Sequence, residues 1–145
     1  MLTFEINQQL GRRISVKLWR QWLQRIETVI KIKKNSLLSI ALVGQTESRK
    51  LNLKYRGKDK ATNVLSFAER DIKQPKVPSL VASYLGEIVI CYPVAQLTAK
   101  QSGVAVTEEI KRLFVHGVLH LLGYDHQRAG ESKKMEALEQ KILAD

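Results

Sequence analysis

The sequence predicts an α+β fold, in which a small mixed β-sheet of about four strands is covered by helices. Three observations support this prediction. Segments typical of strands come mostly early in the chain and helical segments mostly late. The 145 residues, 44% of them hydrophobic, suffice for one core without a disulfide framework. No repeat, low-complexity tract or linker divides the chain, so residues 1–145 are expected to form a single domain.

The first half of the chain predicts two strands and two helices. Apolar and polar residues alternate over 4–6, which indicates a short first strand. From about Ser15 the apolar residues, two tryptophans among them, recur at spacings of three and four, so an amphipathic helix with the tryptophans in the core is expected. Residues 38–43 predict a second strand. Thr46 is expected to cap a short helix that Gly57 ends.

The second half predicts two more strands and three helices. Residues 63–68 and 84–92 have the composition of strands and are separated by a loop with two prolines. A proline in the first turn, a threonine cap and glycine stops indicate where the following helices begin and end. These helices are predicted from Pro93 to about Ser102, from Thr107 to Gly123, and from about Glu131 to Leu143.

The charge of the chain is strongly asymmetric. Lysine and arginine number 24 against 14 acidic residues, a net charge of +10. Residues 1–60 hold 14 basic and four acidic side chains, whereas 61–145 hold ten of each. Such a field favours a polyanion, because basic side chains that neutralise phosphates release condensed counterions. The alternative is a solvated basic face that keeps the protein soluble. Six basic residues fall within one stretch of twelve: Arg49, Lys50, Lys54, Arg56, Lys58 and Lys60.

The cysteine content and hydropathy indicate a cytoplasmic protein. Cys91 is the only cysteine, so no intrachain disulfide forms, and it is expected to act as a small buried hydrophobe. No apolar run reaches the roughly 18 residues that span a bilayer, and the N-terminus lacks the pattern of a signal peptide. Neither export nor membrane insertion is expected.

The three histidines of the protein predict a metal site at the end of a central helix. His116 and His120 are four residues apart, which places both on one helix face, about 5 to 6 Å apart at Cβ. After the turn at Gly123, His126 is expected to reach the same ion. Three imidazoles leave the fourth tetrahedral position for a water whose pKa falls to about 7. Zn²⁺ is the first choice, while nickel, copper and iron stay open.

The residues around the histidines favour phosphodiester over peptide hydrolysis. The spacing over 116–126 is that of the extended metzincin protease motif, but Gly117 stands where those proteases carry their general-base glutamate. A phosphodiester instead needs a cation to stabilise its anionic transition state. With RNA, metal-bound hydroxide either attacks phosphorus or deprotonates the neighbouring 2'-OH, and the sequence leaves both routes open.

At these residues the sequence resembles the YbeY family of bacterial metal-dependent endoribonucleases. The string His-Gly-Val-Leu-His-Leu-Leu-Gly-Tyr-Asp-His at 116–126 matches the family's signature in full. Residues 51–60 and 62–67 match a second block, and 85–88 and 135–139 fit the remaining landmarks. The likeness extends over roughly residues 40 to 143.

The resemblance implies an α+β fold and a zinc-type site formed by His116, His120 and His126. It also implies processing of ribosomal RNA, above all the 3' end of the small-subunit (16S) RNA, and a role in ribosome quality control. The family's arginine in the second block corresponds to Arg56, which is expected to face the metal cleft and contact phosphate. Ala68 stands where many relatives have proline and Asn63 where many have aspartate, so no carboxylate base is assigned at residue 63.

The expected partners are single-stranded RNA, ribosomal RNA and the small ribosomal subunit, without DNA or membrane, and the default oligomeric state is a monomer. The main alternative is a ribosome-associated assembly factor whose metal is structural and whose nuclease activity is negligible. A fourth protein ligand would favour that alternative, and an open coordination position the enzyme. A third possibility, a metallohydrolase of small esters or amides, leaves the charge of +10 unexplained.

Overall fold

The computed structural model describes residues 1–32, 35–69, 83–124 and 129–144. None of the described helices is long and apolar enough to cross a membrane. The elements follow one another as β1 (Leu2–Gln8), α1 (Val16–Ile30), β2 (Ser36–Val43), α2 (Gln45–Arg56), β3 (Val64–Ala68), β4 (Ser83–Cys91), α3 (Tyr92–Ser102), α4 (Val106–Leu121) and α5 (Ala129–Leu143).

The four described strands form one mixed sheet in the order β1-β2-β4-β3. The pairs β1–β2 and β2–β4 are parallel, whereas the edge strand β3 pairs antiparallel with β4. The β1-α1-β2 unit is the usual way to join neighbouring parallel strands through a helix. The α+β prediction with a small mixed sheet of about four strands is therefore confirmed.

The helices cover the two faces of the sheet unequally. On one face, inward residues of β2 and β4 share the main core with α1, α4 and α5, and Trp19 and Phe114 are fully buried there. Their rings meet edge to face at a centroid distance of 5.0 Å, so the tryptophan is core as predicted. On the other face, Leu51 of α2 packs on a smaller cluster, made of Ala41, Val43, Leu65 and Val89.

Several helix ends are those that the sequence predicts. The Ser15 hydroxyl accepts a hydrogen bond from the backbone N–H of Leu18 at 3.2 Å and so caps α1. Gly57 and Gly103 end α2 and α3 in the left-handed conformation, with φ of 69° at each. Cys91 is fully buried at the end of β4, as expected of a small hydrophobe.

Two predicted N-caps are wrong. The residue that caps α2 is Gly44 rather than Thr46, and the one that caps α4 is Ala105 rather than Thr107, so both threonines lie inside the first turn. Neither Gly44 nor Ala105 supplies a side-chain cap hydrogen bond. A threonine cap stabilises a helix by only about 1 kcal/mol, less than the packing that decides where the first turn begins. Tyr92, predicted as the end of a strand, is the first residue of α3.

Gly86 lies where β4, β3 and the end of α4 meet most closely. Its φ is +139°, which residues other than glycine rarely adopt. A Cβ at this position would lie 2.1 Å from the backbone oxygen of Phe67 and 3.0 Å from a methyl group of Leu121. The neighbouring backbone cannot retreat without breaking the β3–β4 ladder. Glycine is therefore required here for both conformation and space.

We expect Gly86→Ala to lower the free energy of unfolding by about 3 kcal/mol or more, because backbone strain adds to the clash. Gly103→Ala is the matched control, since φ there is also positive but nothing lies within 4 Å of the added Cβ. Strain alone should cost it about 1 kcal/mol. Urea unfolding of both variants measures the difference. Equal destabilisation would contradict the close approach at Gly86.

Candidate metal centre

The helix α4 carries two of the three histidines in the layer between the sheet and α5. Gly117 faces the sheet so closely that a Cβ there would lie 2.9 Å from a methyl group of Ile88. His116 and His120, on the same helix, are both partly exposed. Close packing of α4 on β4 therefore fixes the backbone from which both imidazoles extend.

The two imidazoles converge on each other. The Nε2 atoms of His116 and His120 are 3.1 Å apart, and the ring centroids are separated by 4.6 Å. In a tetrahedral site with Zn–N bonds of about 2.0–2.1 Å, two ligand nitrogens lie about 3.3 Å apart. The pair thus fits a shared Zn²⁺, Ni²⁺ or similar ion in both donor type and separation.

The third predicted ligand, His126, lies outside the described residues. Among the described residues no three His, Cys, Asp or Glu side chains form a cluster that could hold a metal ion. A cavity of about 200 Å³ lies directly beyond α4, lined by Leu122, Gly123, Tyr124, Glu131 and Lys134. Neither His116 nor His120 lines this cavity.

A carboxylate that sequence reasoning missed contacts the site. The Nδ1 atom of His116 lies 2.5 Å from Oε1 of Glu139, a residue of α5. Histidines that ligate metals usually donate their other ring N–H to a carboxylate or carbonyl group. The one signal available in the sequence was the position of Glu139 in 135–139, a block that resembles the family without an assigned role.

Arg56 is the last residue of α2 and is exposed. Because α2 packs on the sheet face opposite to α4, this arginine and the histidine pair belong to different layers. Residues 57–63 connect the two layers, since this segment leads from α2 to β3, the edge strand that packs against α4. The prediction that Arg56 faces the metal cleft stays a prediction.

Hydrogen bonds from two side chains of α2 hold the connecting segment, residues 57–63, against that helix. The Ser48 hydroxyl accepts a hydrogen bond from the backbone N–H of Thr62 and donates one to its carbonyl, each 3.0 Å long. The Asn52 side chain donates to the carbonyl of Lys60 at 2.8 Å. Both α2 residues are buried, one turn apart. Their polar side chains on the inward helix face were the available signal for this anchoring.

One arginine of the basic stretch forms an ion pair with an aspartate of the same stretch. Arg49 donates two hydrogen bonds to Asp59, from Nε at 2.5 Å and from a terminal nitrogen at 3.0 Å. These hydrogen bonds lower the pKa of the Asp59 carboxyl and raise the pKa of the arginine. Arg49 is thus engaged with a carboxylate, whereas Arg56 forms no ion pair with any described residue.

Comparison with known proteins gives consistent matches along nearly the whole chain. The sequence matches the family described as Endoribonuclease YbeY over residues 3–145. It is 44% identical over 142 residues to the Endoribonuclease YbeY of Acinetobacter baumannii, a match that covers 94% of this chain and 89% of the relative. It is 47% identical over 116 residues to that of Acinetobacter baylyi, covering 79% and 72%.

A solved structure has a similar fold. The solution structure of a Thermotoga maritima protein superposes with a TM-score of 0.57 at 26% sequence identity. The superposition covers 95% of this chain and 89% of the other.

Proposed function

The chain belongs to the YbeY endoribonuclease family, and from that premise we propose that it is a metal-dependent, cytoplasmic nuclease of single-stranded ribosomal RNA. Its main task in this proposal is maturation of the 3' end of the small-subunit (16S) RNA, together with ribosome quality control. His116, His120 and His126 are the proposed metal ligands, and Arg56 the proposed contact to phosphate.

The observation that carries the metal dependence is the convergence of two imidazole nitrogens at 3.1 Å. A hydrogen bond between the two neutral imidazoles would also give this separation, and what favours a metal is that the Nδ1 atom of His116 lies against a carboxylate. A carboxylate on the far ring nitrogen is typical of histidines that ligate metals. The chemistry that a bound divalent ion supplies is activation of a nucleophile at neutral pH and stabilisation of charge on a phosphoryl oxygen.

The protein's own residues then bind and orient the RNA. Lysine and arginine side chains of α2 and the following segment attract the phosphate backbone, and the net charge of +10 extends this attraction over a longer range. Arg56 offers a guanidinium that can hold two phosphate oxygens at once. Gly117 leaves no carboxylate at the position of a protease base, which favours a phosphodiester substrate.

An exposed aromatic residue beside Arg56 supports a preference for single strands. Tyr55 is 56% exposed, its ring packs on Phe67 with a centroid distance of 4.9 Å, and the ammonium group of Lys54 lies over it at 5.2 Å. Proteins that bind single-stranded nucleic acid combine such aromatic surfaces with basic side chains, because unpaired bases stack on them. A duplex keeps its bases inside and cannot use this surface.

Metal removal tests the proposal directly. We expect chelated, dialysed protein to lose more than about 100-fold in cleavage of an end-labelled single-stranded 16S 3'-end RNA, and to recover on addition of one equivalent of Zn²⁺ or Ni²⁺. A duplex of the same sequence should stay intact. Product ends identify the nucleophile, since attack by the 2'-OH leaves a 2',3'-cyclic phosphate. Undiminished cleavage by verified metal-free protein, or none by the fully loaded protein, would contradict the proposal.

A further inference from the structure

The contact between His116 and Glu139 joins the proposed metal site to the last helix. The Nδ1 and Oε1 atoms are 2.5 Å apart, and both side chains are largely buried, 27% and 19% exposed respectively. Glu139 is separated from His116 by 23 residues, so the contact depends on how α5 docks on α4.

The docking of α5 is itself well determined. Met135 and Ile142, one turn before and one turn after Glu139, are each only 1% exposed in the main core. Arg25 of α1 donates hydrogen bonds to the carbonyl oxygens of Lys141 and Ala144 at 3.0 and 2.8 Å. The glutamate thus lies between two buried anchors on a helix whose end is also tied to α1, which restricts where its carboxylate can go.

The chemistry of the pair assigns the proton on the imidazole. A carboxylate only accepts hydrogen bonds, so the Nδ1 atom of His116 must be the donor and carry the hydrogen. In the neutral ring the hydrogen is then on Nδ1 and the lone pair on Nε2, the atom that lies 3.1 Å from Nε2 of His120. The other tautomer would direct an N–H toward the place where the ion must bind.

We propose that Glu139 is a positioning residue of the metal site: it holds His116 in the Nδ1–H tautomer and fixes the ring plane, so that Nε2 is ready to ligate. This inference rests on the proposed function, because it takes His116 as a ligand. It adds that α5, which supplies no ligand in that proposal, determines the affinity for the metal.

The same contact would also arise from an ion pair that merely joins two helices, and the two roles predict different results. If the pair is only structural, removal of Glu139 lowers the stability of the metal-free protein and leaves the affinity of the folded protein for metal unchanged. If Glu139 is a positioning residue, its removal lowers the affinity for metal and changes the tautomer of His116 even in the absence of metal.

The test compares the full-length wild type with Glu139→Ala, Glu139→Gln and Glu136→Ala, by titration with Zn²⁺ against a competing chelator. Residues in this kind of contact typically change metal affinity by 10–100-fold, so we expect a loss of about that size in Glu139→Ala. Glu139→Gln retains an acceptor oxygen, so its affinity for Zn²⁺ should lie between those of the wild type and Glu139→Ala. Glu136→Ala removes an exposed carboxylate from the same helix and should bind like wild type.

The metal-free proteins provide a second readout. Long-range ¹H–¹⁵N spectra at pH 8, with signals assigned through a His116→Gln variant, should show the Nδ1–H tautomer in wild type and Glu139→Gln, and its loss in Glu139→Ala. Thermal unfolding monitors whether each variant is folded. Affinity within twofold of wild type in Glu139→Ala, or an unchanged tautomer, would overturn the inference while leaving the proposed function intact. Wild type that binds no Zn²⁺ would overturn both.

Discussion

Replacing His120 with alanine is expected to abolish both metal binding and RNA cleavage. The substitution removes one of the two nitrogens that converge at 3.1 Å, so the ion loses a direct ligand. Loss of residues that only orient ligands already costs 10–100-fold in affinity or activity, and loss of a ligand itself should exceed 100-fold. Elemental analysis should fall from about one ion per chain to almost none, and single-turnover cleavage of single-stranded RNA should fall in parallel.

The result is informative because the two readouts must move together. The control is Lys100→Ala, which changes an exposed side chain of α3 and should keep both metal and cleavage. Cleavage by His120→Ala at the wild-type rate would mean a contaminating nuclease or a mechanism without this metal. Metal bound by the wild type with no cleavage by either protein would assign the ion a structural role, as in an assembly factor that binds the ribosome without cutting RNA.

The histidine pair shows what local spacing can predict. Residues four apart on a helix share a face whatever the rest of the chain does, so the convergence of His116 and His120 follows from the sequence alone. Their partner Glu139 does not follow in this way. It comes from another helix, and the side of α5 that faces the site depends on how that helix packs, with Met135 and Ile142 buried and its end bonded to Arg25. Tertiary packing supplies information that periodicity lacks.

For the basic stretch, the local structure could be predicted but its place in the fold could not. Its charge and helical character are evident in the sequence, and α2 ends before Gly57 as predicted, although its N-cap lies two residues before the predicted Thr46. Its layer is not evident, because the side of the sheet that a helix covers depends on the handedness and order of the connections. The chain places α2 across the sheet from α4, with residues 57–63 as the link. The threonine caps failed for a related reason, since packing outweighed a local preference.

Replacing Arg56 with alanine is expected to leave the metal in place and to reduce cleavage by about 100-fold. Removal of a single donor that stabilises a developing anionic charge typically costs 10²–10³ in rate. Arg56 is exposed and lies at the end of a segment anchored through Ser48 and Asn52, so its loss should not unfold the protein. Metal content, thermal unfolding and single-turnover cleavage of single-stranded RNA provide the measurements.

Two further variants separate a phosphate contact from general charge. Arg49→Ala removes the same charge from the same helix, but this arginine is already engaged with Asp59, so cleavage should change less than about threefold. Arg56→Lys keeps the charge and loses the planar two-point contact, and its rate should lie between wild type and Arg56→Ala. In Arg56→Ala, the slope of the logarithm of the RNA-binding constant against the logarithm of the salt concentration should be smaller by about 0.7, the value for one phosphate contact to a single strand. This slope is measured with metal-free protein, so that the RNA is not cleaved. An unchanged slope together with an unchanged rate would mean that Arg56 belongs only to the solvated surface of α2, and that the phosphate is held by other residues.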